Sequence, residues 1–429
     1  MRLALFLLLL LLPCTSFGGT LSTLIELAVK NNPEVKRALE EEKISELQYK
    51  EAVADFLPKV SFRYVRTSLS DVPAYSMALS GFPPTRFDIL EDNFYELKVN
   101  LTQPLFTGGR LLFGVKMKKE LKTASFFRFK ETVLKVVTEV KKDYYTLLEA
   151  NSALKIAEKT LSAVKEHYRT VKAFYDEGIV PRRDLLEATF KLKEAEENLE
   201  KAKSFYRKAL EKLKKDTGYA VKEVPLDEGE LSYVPVKLSE KELLTLAFRN
   251  RPIIKAVEAV ERGTNYGVKV AYSRFLPELL LQASYDRTDR YPGIGNFDST
   301  SVSLVFNFPI FEGGKRFLAV KEAKAKRRQA ELSIKKIKDL VRLQVVSAFS
   351  TLKAAEARIA SAKAMVESAR ELLRVSKERY RERVGTSTEV VDAIAYLARA
   401  EGLLNSALAD YNRALADLEY AVGTTLRPE

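Results

Sequence analysis

The chain has 429 residues, 30% of them charged, and a formal net charge of +13. One cysteine, one histidine and no tryptophan exclude a disulfide framework and a Cys/His zinc site. The basic excess does not mark a nucleic-acid binder. Lysines and arginines alternate with glutamates along helical stretches such as 194–203, which is the pattern of a solvated helix face.

The first eighteen residues read as a secretory leader. Arg2 supplies the positive start, Leu3 to Leu12 form an apolar run, and Ser16-Phe17-Gly18 offers small residues before a cut ahead of Gly19. Cys14 follows Leu11-Leu12-Pro13 in a faint lipobox, but proline is a poor residue before a lipidated cysteine, and Gly18/Gly19 is the better cleavage site. No segment reaches the ~20 apolar residues of a spanning helix. Any membrane span is therefore expected to be a β-barrel, the other structure that satisfies every backbone polar group in lipid.

The rest of the chain reads as one unit written twice. Leu27-Ala28-x-x-Asn31-Asn32-Pro33 recurs as Leu246-Ala247-x-x-Asn250-Arg251-Pro252, and Phe56-Leu57-Pro58 as Phe275-Leu276-Pro277, both 219 residues on. Pro104-Leu105-Phe106-x-Gly108-Gly109 recurs as Pro309-Ile310-Phe311-x-Gly313-Gly314, now 205 residues on. The 205 offset then holds for Tyr175 and Tyr380, Ala188 and Ala393, Leu213 and Leu418, and Gly218 and Gly423. One 14-residue deletion between Pro277 and Pro309 accounts for the change. The predicted organisation is a first repeat over 19–218, a linker over 219–239, a second repeat over 240–423 and a tail over 424–429.

Within each repeat the order is the same. A helix nicked at proline (Leu21 to Phe56) leads to two strands, a Gly-Gly turn, a very long helix and a returning helix. The β-hairpins are expected at 59–104 and 278–309, and the helical hairpins at 112–217 and 317–422. Val60, Phe62 and Tyr64 alternate with Ser61 and Arg63; Tyr95, Leu97, Val99 and Leu101 alternate with Glu96, Lys98, Asn100 and Thr102. The second hairpin alternates likewise through Leu279, Leu281, Ala283 and Tyr285, then Val302, Leu304, Phe306 and Phe308. One apolar and one polar face suit lipid outside and water inside. Four strands do not close a barrel, since about eight are the practical minimum, so several chains are expected to share one. The loop around Pro73 to Pro84 reads as a surface loop, and Tyr64, Phe94, Tyr95, Tyr285 and Phe308 as aromatic girdles.

From Leu112 to Phe174, and from Phe317 to Val384, nothing breaks a helix except Gly114. About 60 residues at 1.5 Å each extend roughly 90 Å. The returning helices carry heptad seams: Leu185, Leu192, Leu199, Tyr206, Leu210 and Leu213 in the first, and Val390, Ile394, Leu397, Leu404, Leu408, Tyr411, Leu415, Leu418 and Val422 in the second. Gly108-Gly109 and Gly313-Gly314 fit no phosphate-loop spacing and read as sharp strand-to-helix turns. Lys116, Lys119, Lys122 and Lys130 match Lys321, Lys324, Arg327 and Lys335, either as lipid-headgroup or lumen positions or as a solvated face. His167, between Glu166 and Tyr168 mid-helix, reads as a helix-surface residue.

These motifs, with Tyr-x-x-Gly and a downstream Asp184-x-x-Glu187-Ala188 or Glu389-x-x-Asp392-Ala393 at the hairpin turns, resemble the TolC-like outer-membrane efflux family over essentially all of the chain after the leader. The resemblance implies a mainly α fold with a transmembrane β-barrel. A homotrimer would complete a 12-stranded barrel in outer-membrane lipid and a 12-helix α-barrel in the periplasm. It implies a passive exit duct of a tripartite efflux or type I secretion system, with no enzyme activity, cofactor, metal or nucleic acid. Its partners would be a periplasmic adaptor (membrane fusion) protein and an inner-membrane transporter of RND, ABC or similar type. The other reading, a periplasmic coiled-coil scaffold, shares the heptads but not the use of the strands. By the same resemblance Glu389, Asp392, Asp184 and Glu187 match aperture carboxylates, and Tyr380 and Asp184 match a gate latch. Gly178, Ile179, Val180, Arg383, Val384 and Gly385 form the hairpin tips that would dock the adaptor. Arg383 stands where the family pattern has glycine, so the second turn is expected to differ in shape from the first.

Overall fold

A computed structural model describes residues 19–78, 80–220 and 231–426, with Gly19 and Thr20 described by backbone alone. The leader, Cys14, residues 221–230 of the linker and the last three residues lie outside the described residues. The first half comprises α1 (Gly19–Asn31), α2 (Pro33–Ala54), β1 (Lys59–Ser68), β2 (Ala74–Met77), β3 (Thr85–Asp88), β4 (Asn93–Phe106), α3 (Arg110–Asp176) and α4 (Arg182–Asp216). The second comprises α5 (Glu240–Asn250), α6 (Pro252–Ser273), β5 (Glu278–Thr288), β6 (Phe297–Asn307), α7 (Lys315–Arg381) and α8 (Ser387–Val422). Among the described residues no helix is long and apolar enough to cross a membrane.

The chain divides into two compact units. One consists of the described parts of Met1–Glu41, Phe127–Lys255 and Lys335–Glu429, and is helical. It holds two equivalent cores. In the first, Leu24 and Ala28 of α1 and Val35 of α2 pack on Val140, Tyr144, Leu147 and Leu148 of α3 and Leu213 of α4. In the second, Leu243, Ala247 and Ile254 pack on Val341, Val345 and Leu352 of α7 and Leu415 and Leu418 of α8. The Asn-x-Pro element explains itself here. Proline starts α2 and α6 because the first helical residue needs no N–H partner, and the residue before it seats on the end of the returning helix. Asn32 Nδ2 donates to the Asp216 carbonyl at 2.8 Å while its Oδ1 accepts from Glu34 N–H. Arg251 donates instead to the Tyr420 carbonyl, lies over the Tyr420 ring at 4.0 Å and pairs with Glu131 at 2.9 Å. That pairing is what allows a guanidinium only 2% exposed to be buried.

The interval between the halves is more than a connector where it is described. Tyr411 Oη donates to the Val234 carbonyl at 2.6 Å, Asn412 Nδ2 donates to the Ser232 carbonyl at 3.0 Å, and Tyr233, Val236 and Leu238 pack on the second core.

The other unit, Glu42–Phe126 with Ala256–Ile334, holds a four-stranded antiparallel sheet in the order β1-β4-β5-β6. The register aligns the alternating residues. Phe62 stands opposite Val99, Val99 opposite Tyr285, and Ala283 opposite Val302, so the apolar residues of all four strands share one face. Ser61, Asn100, Ser284 and Ser301 share the other. Val60, Phe62, Val302, Leu304 and Phe306 are exposed, not packed on a core. On the polar face Lys98 pairs with Asp286 at 3.0 Å, and Ser284 meets Ser301 at 2.9 Å. Below the sheet, Lys122 pairs with Glu46 at 3.7 Å, Lys116 and Lys324 lie over the rings of Tyr266 and Tyr272, and Arg327 pairs with Glu331. Lys116, Lys122, Lys324 and Arg327, four of the eight paired basic positions, thus have partners within the chain.

Three expectations change. The first strand-tip loop carries its own short hairpin, β2 with β3, where Tyr75 stacks on Phe87 at 5.3 Å. β4 runs past Pro104 to Phe106 through an irregularity in its pairing with β5. The long helix of the second half stops at Arg381 rather than Val384.

Candidate functional site

The two helical turns are built by the same backbone rule. At the end of α3, Gly178 N–H donates to the Tyr175 carbonyl and Ile179 N–H to the Phe174 carbonyl, at 2.9 and 2.8 Å, with Gly178 at φ +72°. This Schellman arrangement ends a helix by one left-handed residue. At the end of α7, Arg383 donates to the Tyr380 carbonyl and Val384 to the Arg379 carbonyl, at 3.1 and 3.0 Å, and Arg383 takes φ +60°. The second turn therefore repeats the first, against the expectation of a different shape, and an arginine bears the left-handed strain. Gly385 is needed for space instead: a Cβ there would lie 3.0 Å from Arg379 Cβ and 3.1 Å from Glu389 Oε2.

The helices restart from different caps. Pro181 precedes α4 without a side-chain bond, whereas Thr386 Oγ1 accepts from Glu389 N–H at 3.2 Å. Asp184 and Glu389 each fall in a first turn, where a carboxylate complements the helix dipole. Glu389 and Asp392 are exposed one turn apart on α8, and Arg379 Nε lies 3.6 Å from Glu389. Asp184 and Glu187 are half-buried. Thr388 Oγ1 donates to Glu187 Oε1 at 3.1 Å, which joins the tip of one half to the tip of the other. Ile179 and Val384 are exposed apolar residues at the turns, and Val180 is half-buried.

A small core lies just behind the turns: Val164 and Val171 of α3, Ala188 of α4, Tyr380 of α7, and Val390 and Ile394 of α8. Tyr380 is buried between Phe174 and His167, with ring centroids 5.9 and 5.2 Å away. Its hydroxyl meets no hydrogen-bond partner among the described residues. Burial, and then the negative charge of Asp184, pushes its pKa up. Tyr380 and Asp184, the expected latch pair, thus feel each other's charge without a direct hydrogen bond.

His167 is the residue that sequence reasoning misplaced. It is buried rather than on the surface, and its Nε2 lies 2.8 Å from Ser387 Oγ at the start of α8. Burial, reinforced by Lys377, pushes its pKa down to about 4, so the ring is neutral at pH 7. The signal was present. His167 lies three residues after Val164 and four before Val171, on the buried stripe. At the equivalent position 205 residues on, the second half has Leu372.

The model of the outer membrane efflux protein family matches residues 24–219 and 243–424. The chain belongs to that family. Among relatives, it is 24% identical over 418 residues to the alkaline protease secretion protein AprF of Pseudomonas aeruginosa, covering 92% of this chain and 83% of AprF. It is 24% identical over 220 residues to the outer membrane efflux protein BepC of Brucella suis, 51% of this chain and 48% of BepC. The match thus spans about half of BepC. The structure of the Campylobacter jejuni CmeC outer membrane channel superposes with a TM-score of 0.76 at 20% identity, over 94% of this chain and 85% of that one. This likeness establishes the efflux-family fold: long helices joined to a small β-sheet.

Proposed function

We propose that the chain is a passive outer-membrane exit duct, assembled from three copies, that carries cargo handed over by an inner-membrane transporter through a periplasmic adaptor. The observation that carries this reading is the sheet. Its apolar face is exposed, its polar face is continuous across four strands, and among the described residues the outer edges of β1 and β6 have no partner strand. Three chains of four strands make a twelve-stranded barrel, large enough to close around water. The long helices supply the tunnel wall, and the names of the relatives AprF, a secretion protein, and BepC, an efflux protein, supply the direction of traffic. The scaffold alternative leaves the exposed apolar face without a purpose.

In this duct Glu389, Asp392, Asp184 and Glu187 ring the periplasmic aperture. Three-fold repetition crowds like charges, which favours cations over anions. Tyr380 and Asp184 hold the aperture shut, and the tips at Gly178, Ile179, Val180, Arg383, Val384 and Gly385 receive the adaptor. The protein does no chemistry on its cargo. Planar-bilayer recordings test the aperture. Replacing Glu389 and Asp392 together by alanine should raise conductance several-fold and weaken cation selectivity and divalent block. Unchanged currents would remove both residues from the constriction. Recovery of the chain as a soluble monomer would end the duct reading itself.

A further inference from the structure

One charge on the polar face of the sheet has no counter-charge. The charged residues of that face are Lys59 and Arg63 of β1, Glu96 and Lys98 of β4, and Glu278 and Asp286 of β5. Lys59 pairs with Asp55, Lys98 with Asp286 and Glu278 with Arg110, each at 3.0 Å, and Glu96 pairs with Arg290 at 2.9 Å. Arg63 is exposed and forms no ion pair among the described residues. Its direct neighbour across the ladder is Lys98, so two cations face each other in a position where like charges oppose folding. Asp286 offsets only one of them, and its second oxygen already accepts from Ser284 Oγ at 2.8 Å. The row Arg63, Lys98, Asp286 and Ser299 therefore carries one uncompensated positive charge. The sheet itself does not require it. The equivalents of Arg63 and Lys98 in the second half are Gln282 and Ser303, which stand opposite each other without charge.

We infer that Arg63 and Lys98 form an anion site on the barrel wall that binds a small multivalent oxyanion. This rests on the duct reading and adds to it a binding site inside the lumen. Directly opposed residues have Cβ atoms about 4.5–5.5 Å apart, so one ligand reaches both side chains. The planar guanidinium fork of Arg63 matches two oxygens of a phosphate or a similar group, and the Lys98 ammonium adds a point charge beside it. Ser61 and Asn100, opposite each other in the next row of the same face, supply neutral donors. A ligand with two or more negative charges relieves the repulsion between the two cations, which a distant counter-ion screened by water does not. The neighbouring copy supplies no carboxylate in its place. In the duct the outer edge of β1 meets β6 of the next copy, and from Phe297 to Asn307 the polar face of β6 is uncharged at every position, so no register brings an acid to Arg63. Three copies set three such sites around one lumen. Their sign is opposite to that of the carboxylates proposed at the helical tips, so the duct attracts cations at one station and holds anions at another.

Planar-bilayer recording of the full protein tests the site, with inorganic pyrophosphate as the probe. Pyrophosphate should block the unsubstituted channel reversibly, and Arg63→Gln should raise the half-blocking concentration at least ten-fold. Lys59→Gln removes a cation of the same face that has its own carboxylate, and should shift that concentration less than two-fold. Asp286→Asn removes the acid that competes for Lys98, and should lower it several-fold, a gain that a damaged barrel would not produce. Block of equal strength with and without Arg63 overturns the inference. So does an unsubstituted channel that pyrophosphate leaves open, or an equal shift from Lys59→Gln and Arg63→Gln, which would reduce the effect to net charge. Each of these outcomes leaves the duct reading standing, whereas a protein that forms no channel at all ends both.

Discussion

The returning helices α4 and α8 occupy equivalent places in the two halves and are nearly equal in length, 35 and 36 residues. Eighteen residues of α8 are buried, but only four of α4: Ala188, Ala195, Ala209 and Leu213. The heptad seam is present in both. What differs is what surrounds it. Small residues of α8, such as Ala393, Ala407, Ala409, Ala414 and Ala416, let it lie in the interior, whereas Phe190 and Phe205 of α4 stand exposed. A heptad therefore specifies that a helix packs on one side, and the residues off the seam decide how many sides are covered.

That contrast can be broken in the core. Leu415 is 2% exposed, while its equivalent Leu210 is half-buried. Leu415→Ala should cost about 3–4 kcal/mol and Leu210→Ala about half that, read from denaturation midpoints in detergent. Leu418 and Leu213 are both fully buried, so their alanine variants should cost the same. Equal losses at 415 and 210 would show that α4 is as enclosed as α8.

A second difference between the halves is His167 against Leu372. The folded tip holds the imidazole neutral, while the unfolded chain takes up a proton from about pH 6.5 downward. The tip's stability is therefore complete above about 6.5 and lost as pH falls towards about 4, by up to roughly 3 kcal/mol at the ordinary value of a pKa unit. His167→Leu should flatten that acid dependence in melts between pH 4.5 and 7.5; a slope that persists would place its origin elsewhere. The smallest effect concerns the turns. Arg383→Gly should stabilise by about 1 kcal/mol and Gly178→Arg should destabilise by a similar amount, measured by hydrogen exchange at the two tips. No gain from Arg383→Gly would mean that the arginine side chain repays its strain through a contact of its own.

The long helices were legible because nothing in 112–174 or 317–384 except Gly114 opposes a helix. The sheet was legible because its faces alternate cleanly. What escaped the sequence depended on three-dimensional neighbours. The end of α7 at Arg381 required knowing that Arg383 would adopt a left-handed conformation, which side-chain type argues against. The β2–β3 hairpin lies in a Ser/Pro/Gly-rich stretch with little periodicity. The strap at Ser232 to Leu238 has no pattern of its own and is held by Tyr411 and Asn412. At the tip, the two halves' carboxylates could be aligned by offset, but the bond between Thr388 and Glu187 and the burial of His167 beside Ser387 arise only where two hairpins meet.

The long helices α3 and α7 are each 67 residues, and the 14 residues by which the halves differ all lie between Pro277 and Pro309, at the strand tips. A helix that gained one turn alone would carry its tip about 5 Å past its counterpart and pull Glu187 away from Thr388. Length in this protein is therefore inherited in pairs. The 14-residue difference at the strand tips leaves the helical tips aligned, whereas added length along the helices keeps them aligned only when both halves lengthen in step.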